Sequence, residues 1–362
     1  MRLVSIDSLR ENVVLEKPIF NDKGQVLLGE GVVLTNKLIN RLKEHGVDHV
    51  CIVDQLSEGI KLTEPISIET RMQAMSTIKE TLESVHKNHD LSKAFVQGGL
   101  DKQFNEVIRN ILRDISRIPE AISLMSDVYS YDNYIFSHSL NVTIYSLALA
   151  YQLKLSPREL EEIGIGAMLH DVGKMMVPIE ILTKPGRLTD EEFVEMKNHA
   201  EYGFNILRKV PTLSLVTAHC AYQHHERIDG SGYPRGLKGR DIHYYSRIIA
   251  VADVYDAVTS NRVYRRAMLP HEGLEILYAG SGTQFDKELI DAFRKAIIIY
   301  PPGLKVELSD QRKGIVIRSN PGLSERPIIR IIEEAGRQCG KPYELDLSKD
   351  LNTVITGADL TL

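Results

Sequence analysis

The residues in this sequence that could do chemistry are histidines and aspartates. His170 and Asp171 are adjacent, near the end of a helix that begins after Ser156. Such a pair can reach one metal ion together, and the second carboxylate oxygen is then free to bridge to another. His138, His199, the pair His224-His225 and Asp253 are further candidates, each in a segment with helical spacing. Lys174 follows His170 by four residues, on the same helix face, and Gly173 removes a side chain where a ligand's phosphate could approach. The run His224-His225-Glu226 leads into Asp229-Gly230-Ser231-Gly232-Tyr233-Pro234, a turn-rich loop that cannot continue a helix and makes a natural pocket wall. Asp253 lies in an apolar helix, 247–258, where a charged residue needs a reason; Asp256 shares that helix and Arg262 follows it.

Taken singly, these residues say little. A lone histidine in a helix is more often a satisfied core or surface group than a ligand, and His45, His49, His86, His89, His219, His243 and His271 are read that way. Asp253 alone reads as a cap or ion-pair partner, Lys174 as a solvated lysine, Arg262 with Arg265-Arg266 as a solvated face, and Tyr233 as a loop aromatic covering an apolar edge. Their order is more informative. His138, then His170-Asp171-x-x-Lys174, then His199, then His224-His225-Glu226-x-x-Asp229-Gly230-x-Gly232-Tyr233-Pro234, then Asp253, resembles the HD-GYP domain, a branch of the HD metallohydrolases named for His-Asp and Gly-Tyr-Pro. The resemblance runs from about Ser126 to Tyr300, roughly half of the chain.

That resemblance implies an all-helical phosphodiesterase that degrades cyclic di-GMP to pGpG and sometimes on to GMP. It implies that His138, His170, Asp171 and Asp253 hold one metal, and that His199, His224 and His225 hold a second, with Asp171 bridging. Five imidazoles and two carboxylates are too nitrogen-rich for Mg²⁺ or Ca²⁺. They fit transition metals: Fe or Mn first, as the family suggests, with Ni, Co or Zn also suited. A water activated between two such ions becomes the attacking hydroxide. Asp171 and Lys174 are then the catalytic residues, Lys174 stabilising charge on the phosphate. Lys174, Tyr233, Pro234, Arg262 and Asp132 are the expected substrate contacts. Some family members carry a Glu four residues before the first ligand His, with a third metal; Tyr134 stands there instead, so two metals are expected, with Asp132 near enough to compensate in part. Two other readings stay open: an effector that binds cyclic di-GMP with little turnover, and a hydrolase of another cyclic dinucleotide.

The elements that must position these groups suggest a mainly α protein. Residues 1–58 read as an α+β accessory module: Val13–Phe20 and Gln25–Leu28 flank the turn signal Asn21-Asp22-Lys23-Gly24, Thr35 caps a helix running to His45, and Val47–Val53 reads as a strand. Residues 59–122 carry two helical stripes, Ile68 to Val85 and Phe104 to Ile115, broken at Gly98-Gly99. These suit core packing, a linker or a homodimer interface. Residues 123–300 form the expected catalytic domain, with capping boxes at Ser156–Glu159 and Thr189–Glu192. Residues 301–362 read as a small β appendage with strands at 306–308, 314–317 and 328–332. A net charge of −5 argues against binding a DNA or RNA polymer. Three scattered cysteines, no signal-peptide core and no apolar run long enough to span a bilayer point to a soluble cytoplasmic protein.

Overall fold

The computed structural model describes residues 1–20, 26–45, 47, 49–61, 64–96, 98–117, 134–184, 186–260 and 267–359. The chain divides into two compact units, one built from both ends of the sequence and one from its middle. The hairpin turn expected at 21–24 falls outside the described residues.

In the first unit, β1 (Arg2–Ser5), β2 (Val13–Val14), β3 (Ile19–Phe20), β4 (Val26–Leu28) and β5 (Val33–Leu34) precede helix α1 (Asn36–Glu44) and β6 (His49–Ile52). β1 pairs antiparallel with β6, placing Arg2 opposite Ile52. Thr35 caps α1 by accepting the Leu38 N–H at 3.3 Å, and His45 closes the other end, as the sequence predicted. Val4, Leu15, Leu34, Ile39 and Leu42 form the core beneath.

The C-terminal part of this unit is a five-stranded antiparallel sheet of β7 (Lys305–Leu308), β8 (Lys313–Asn320), β9 (Leu323–Glu334), β10 (Arg337–Asp346) and β11 (Ile355–Asp359), in the order β10-β9-β8-β7-β11. Sequence reading finds the three inner strands and misses β10 and β11. Both are edge strands, and β10 is exposed along most of its length, so it lacks the alternation that burial imposes. The two ends of the chain are tied together. The Leu3 N–H donates to Gly303 O at 2.9 Å, the Arg330 guanidinium donates to Leu56 O and Glu58 O at 3.2 and 2.7 Å, and Ile60 packs against Ile315 and Ile332.

The second unit is helical: α2 (Ile68–Asn88), α3 (Ser92–Val96), α4 (Leu100–Ser116), α5 (Tyr134–Gln152), α6 (Pro157–Leu169), α7 (Ile179–Leu182), α8 (Asp190–Lys197), α9 (His199–Leu207), α10 (Leu215–Gln223), α11 (Tyr244–Thr259), α12 (Pro270–Ala279) and α13 (Lys287–Ala296). Both predicted capping boxes form. Ser156 and Glu159 cap α6, and Thr189 and Glu192 cap α8, each pair exchanging side-chain bonds with the other's backbone. α5 is buried on all sides, with Leu140, Val142, Ile144, Leu147 and Leu149 inaccessible to solvent. That burial explains the apolar run 142–153, and no described helix is long and apolar enough to cross a membrane.

α4 buries its stripe in this same unit, and α2 buries the later part of its own: Met75, Ile78, Leu82 and Val85 are covered, whereas Ile68 and Met72 stand nearly half exposed. Phe104, Val107, Ile108 and Ile111 are fully covered, α2 packs on α5, and α4 packs on α6. A Cβ at Gly164 of α6 would stand 2.7 Å from Ile108, so the glycine sets how closely α4 approaches. The break predicted at Gly98-Gly99 is present, with Gly99 capping α4 at φ 72°, and a second break precedes it. His89 ends α2 in the left-handed region, at φ 54°.

Candidate metal centre

α6 ends at Leu169, and His170 caps it with helical dihedrals. Asp171 then turns the chain into a short 3₁₀ segment, 172–176. This is a correction to the sequence reading: Lys174 does not continue the α-helix of His170. The tighter turn brings its ammonium back onto Asp171, 2.5 Å from Oδ2. Gly173 is corrected too. A Cβ there would lie 1.9 Å from His199 O and 2.4 Å from Gly203 N, so this glycine lets the turn press against the α9 backbone and does not clear space for a ligand.

Four elements bring histidines to Asp171. His138 comes from α5, His170 from the end of α6, His199 opens α9 and His224 ends α10. The two carboxylate oxygens face different histidines. Oδ2 lies 3.5 Å from His138 Nε2 and 3.3 Å from His170 Nε2, whereas Oδ1 lies 3.5 Å from His199 Nε2 and 3.8 Å from His224 Nε2. Asp253, from α11, places Oδ1 3.1 Å from His138 Nε2 and 4.0 Å from His170 Nε2, and its Oδ2 3.8 Å from His225 Nδ1. Potential ligand atoms of Asp171, His199, His224 and His225 all lie within 4.8 Å of one another, and so do those of His138, His170 and Asp171.

The imidazoles are oriented from behind. The Nδ1–H of His170 donates to Ala167 O at 2.7 Å, that of His199 to Met196 O at 2.6 Å, and that of His224 to Ala221 O at 2.9 Å. A carbonyl can only accept, so each Nδ1 carries the proton and each Nε2 lone pair faces the cluster. His138 differs. Its Nδ1 is 2.7 Å from Asp256 Oδ2, and Asp256 is itself held by Asn141 at 2.9 Å and Ser260 at 2.8 Å. A carboxylate behind a histidine is the usual outer support of a metal ligand. Sequence reading named Asp256 without giving it this role, although its place three residues after Asp253 on one apolar helix was a usable sign.

Burial and charge fit a cation. His138, His170, Asp171, His199 and His224 are all at most 2% exposed, and His170 Nε2 and Asp171 Oδ1 are buried without a hydrogen-bond partner among the described residues. Burial works against the charge of both carboxyls, yet Lys174 and His170 hold Asp171 well below the usual carboxylate range, and His138 and His225 do the same for Asp253. Burial pushes His199 down to about 4 and His225 to about 3, and takes His224 well below its ordinary value. These three are therefore neutral at physiological pH, the state a metal needs. His138 goes the other way: burial opposes its charge, but Asp253 and Asp256 raise it to about 9. It stands where two carboxylates attract a cation.

The Gly-Tyr-Pro loop packs directly on this centre. The Tyr233 ring lies 4.7 Å from the His225 ring and 6.3 Å from that of His199, so its first contact is with the imidazoles. Pro234 is exposed, and the peptide joining it to Tyr233 is cis. Gly232 is obligatory in this arrangement, since a Cβ would sit 2.5 Å from His225 O. Glu226, which sequence reading left without a role, is 3% exposed and accepts the N–H groups of Arg235 and Leu237 at 2.8 and 2.9 Å, holding the loop against the helix end. Asp132 and Arg262 lie outside the described residues, as does the side chain of Tyr134.

A helical unit with this buried His/Asp cluster defines a class, the HD-type metallohydrolases, whose members use divalent metal ions. Residues 120–289 match the family described as "HD domain", and residues 305–359 match the "KOW domain associated with HD domain". The chain is 35% identical over 241 residues to the cyclic di-GMP phosphodiesterase PA4108 of Pseudomonas aeruginosa, covering 67% of this chain and 58% of that one. It is 38% identical over 168 residues to the 3'3'-cGAMP-specific phosphodiesterase 3 of Vibrio cholerae, covering 46% and 36%. In fold it is similar to Bd1817, a protein of the HD-GYP kind from Bdellovibrio bacteriovorus, with a TM-score of 0.50 at 16% identity, covering 80% of this chain and 97% of that one. The chain belongs to the HD-GYP group of the HD domain family, as its motif order predicted, and it ends in a KOW domain that sequence reading recognised only as β-rich. It spans between about a third and two thirds of the length of the curated relatives it matches.

Proposed function

We propose that this chain hydrolyses a phosphodiester bond of cyclic di-GMP, yielding pGpG, with two divalent transition-metal ions as cofactors. The observation that carries this reading is the division of Asp171, whose Oδ2 faces His138 and His170 while Oδ1 faces His199 and His224. One carboxylate set between two groups of imidazoles suits two cations that share it. His138, His170 and Asp253 would complete one ligand set, and His199, His224 and His225 the other. The nitrogen-rich donors favour Fe or Mn, with Ni, Co and Zn also suited. Bound there, such ions supply Lewis-acid charge and lower the pKa of water.

The chain's own residues do the remaining work. Lys174, with its side chain 20% exposed, holds an ammonium at the edge of the buried cluster, where the non-bridging oxygens of a scissile phosphate would arrive. Tyr233 and Glu226 fix the loop that shields the centre from water. Arg262, Asp132 and Pro234 are assigned to the substrate from their place in the motif. With Tyr134 in place of a carboxylate, two ions rather than three are expected, and pGpG should accumulate over GMP. A cytoplasmic location belongs to the same reading. So does a homodimer formed through α2, where Ile68 and Met72 are each nearly half exposed one turn apart.

The relative named for 3'3'-cGAMP supports a second reading of the same site, a mixed-base cyclic dinucleotide as substrate. Anaerobic metal analysis with a turnover assay on both nucleotides tests these readings together. The expected result is two ions per chain, pGpG released from cyclic di-GMP, and loss of metal and activity together in Asp171→Ala. Faster turnover of 3'3'-cGAMP would favour the mixed-base substrate. Tight nucleotide binding without hydrolysis in Fe or Mn would make the protein a receptor.

A further inference from the structure

α8 carries two side chains in mutual contact that the motif does not assign, Phe193 and Lys197. Phe193 is 46% exposed and the adjacent Val194 58%, two apolar side chains on the outside of a helix that leads straight into His199. Lys197, one turn after Phe193, holds its ammonium 4.7 Å from the Phe193 ring centroid and 5.8 Å from that of Tyr233. Tyr233 in turn lies against His225. Lys197 thus stands within reach of both the Phe193 ring and the tyrosine that packs on the His/Asp cluster. The ammonium has no carboxylate within ion-pair distance among the described residues, so its charge is not spent inside the fold.

We propose that Phe193 and Lys197 form a subsite for the half of a cyclic dinucleotide that is not being cut, the base stacking on the open face of Phe193 and the ammonium meeting the second phosphate. The inference rests on the phosphodiesterase reading for the position of the scissile phosphate and adds the recognition of the rest of the substrate. The chemistry matches the ligand. A cyclic dinucleotide has two phosphates and two aromatic bases, so a site that engages one phosphate at the cluster leaves one phosphate and one base for an outer contact. An exposed ring offers stacking area that every base can use, and a cation held over that ring adds charge without an internal partner to break.

The test measures cyclic di-GMP binding by calorimetry, alongside kcat and KM, for the metal-loaded full chain and for Phe193→Ala, Lys197→Ala and Phe193→Trp. Both alanine variants should weaken binding and raise KM about tenfold, with kcat falling no more than about twofold, while the tryptophan variant keeps wild-type affinity because the stacking face remains. Both side chains are on the surface of α8, and circular dichroism with thermal melting confirms that the variants fold. Unchanged affinity in the two alanine variants overturns the subsite, as does a loss of kcat at constant affinity, or a wild-type chain that binds no cyclic di-GMP. A wild type that binds the nucleotide but does not cleave it overturns the hydrolytic reading alone, and the binding series still decides the subsite.

Discussion

The Nδ1 of His138 lies 2.7 Å from an oxygen of Asp256, and this hydrogen bond determines that Nε2 is the nitrogen His138 turns toward Asp171 and Asp253. Asp256 is 1% exposed and fully engaged, with Asn141 and Ser260 on its other oxygen. Replacing it by asparagine removes the charge and offers His138 an amide in its place. Asp256→Asn should keep the fold but lower metal affinity about 10–100-fold, with activity falling in step. Metal titration of the purified variant checks this, and wild-type affinity would remove the orienting role.

Glu226 anchors the Gly-Tyr-Pro loop through two backbone N–H groups, at Arg235 and Leu237. A hydrogen bond to a charged acceptor contributes about 1.5–3 kcal/mol, against roughly 0.5–1.5 kcal/mol for one to a neutral acceptor. Glu226→Gln should therefore speed amide exchange at 235 and 237 and raise KM more than it lowers kcat. Exchange rates that match the wild type would show that the loop is held by other contacts.

The space beside Gly173 is filled by α9 backbone, so no side-chain movement can relieve a substitution there. Gly173→Ala should cost more than the roughly 1–3 kcal/mol usual for overpacking, and its urea midpoint should fall sharply or the chain fail to fold. Gly340, with open space around it, is the control: Gly340→Ala should leave the midpoint nearly unchanged.

Stability of the metal-free protein should depend on pH with a definite sign. His199 and His225 have folded values near 4 and 3, below their ordinary 6.5, so between about pH 6.5 and 4 the unfolded chain binds protons that the native chain refuses. Stability from these two falls as the pH drops through that window. His138, raised to about 9, acts oppositely: its contribution is complete below 6.5 and is lost as the pH rises through 9. Denaturation of chelator-treated protein across pH 4 to 9 should give a maximum between these limits. Rising stability from pH 6.5 down to 4 would contradict the assignment of neutral, buried imidazoles.

Much of the architecture is legible locally. The capping boxes at Ser156 and Thr189 and the cap at Thr35 set three helix starts correctly, because a cap is an interaction between residues three apart. The apolar stripes of α2 and α4 are equally local. Their burial against α5 and α6 is one of several readings that the stripe permits. The edge strand β10 is not legible, since an exposed strand carries no alternating pattern.

By itself, the sequence determined which donor atoms exist and in what order they occur, and so the family and the expectation of metal-ion chemistry. The tertiary structure decided how those atoms face one another. Asp171 divides its oxygens between two groups of histidines, Asp256 turns His138 from 118 residues away, Gly173 serves packing rather than ligand access, and Lys174 swings back on a 3₁₀ turn. The reason is physical: a side chain's identity is fixed where it stands in the chain, whereas its orientation and charge are fixed by neighbours that only folding brings within hydrogen-bonding reach.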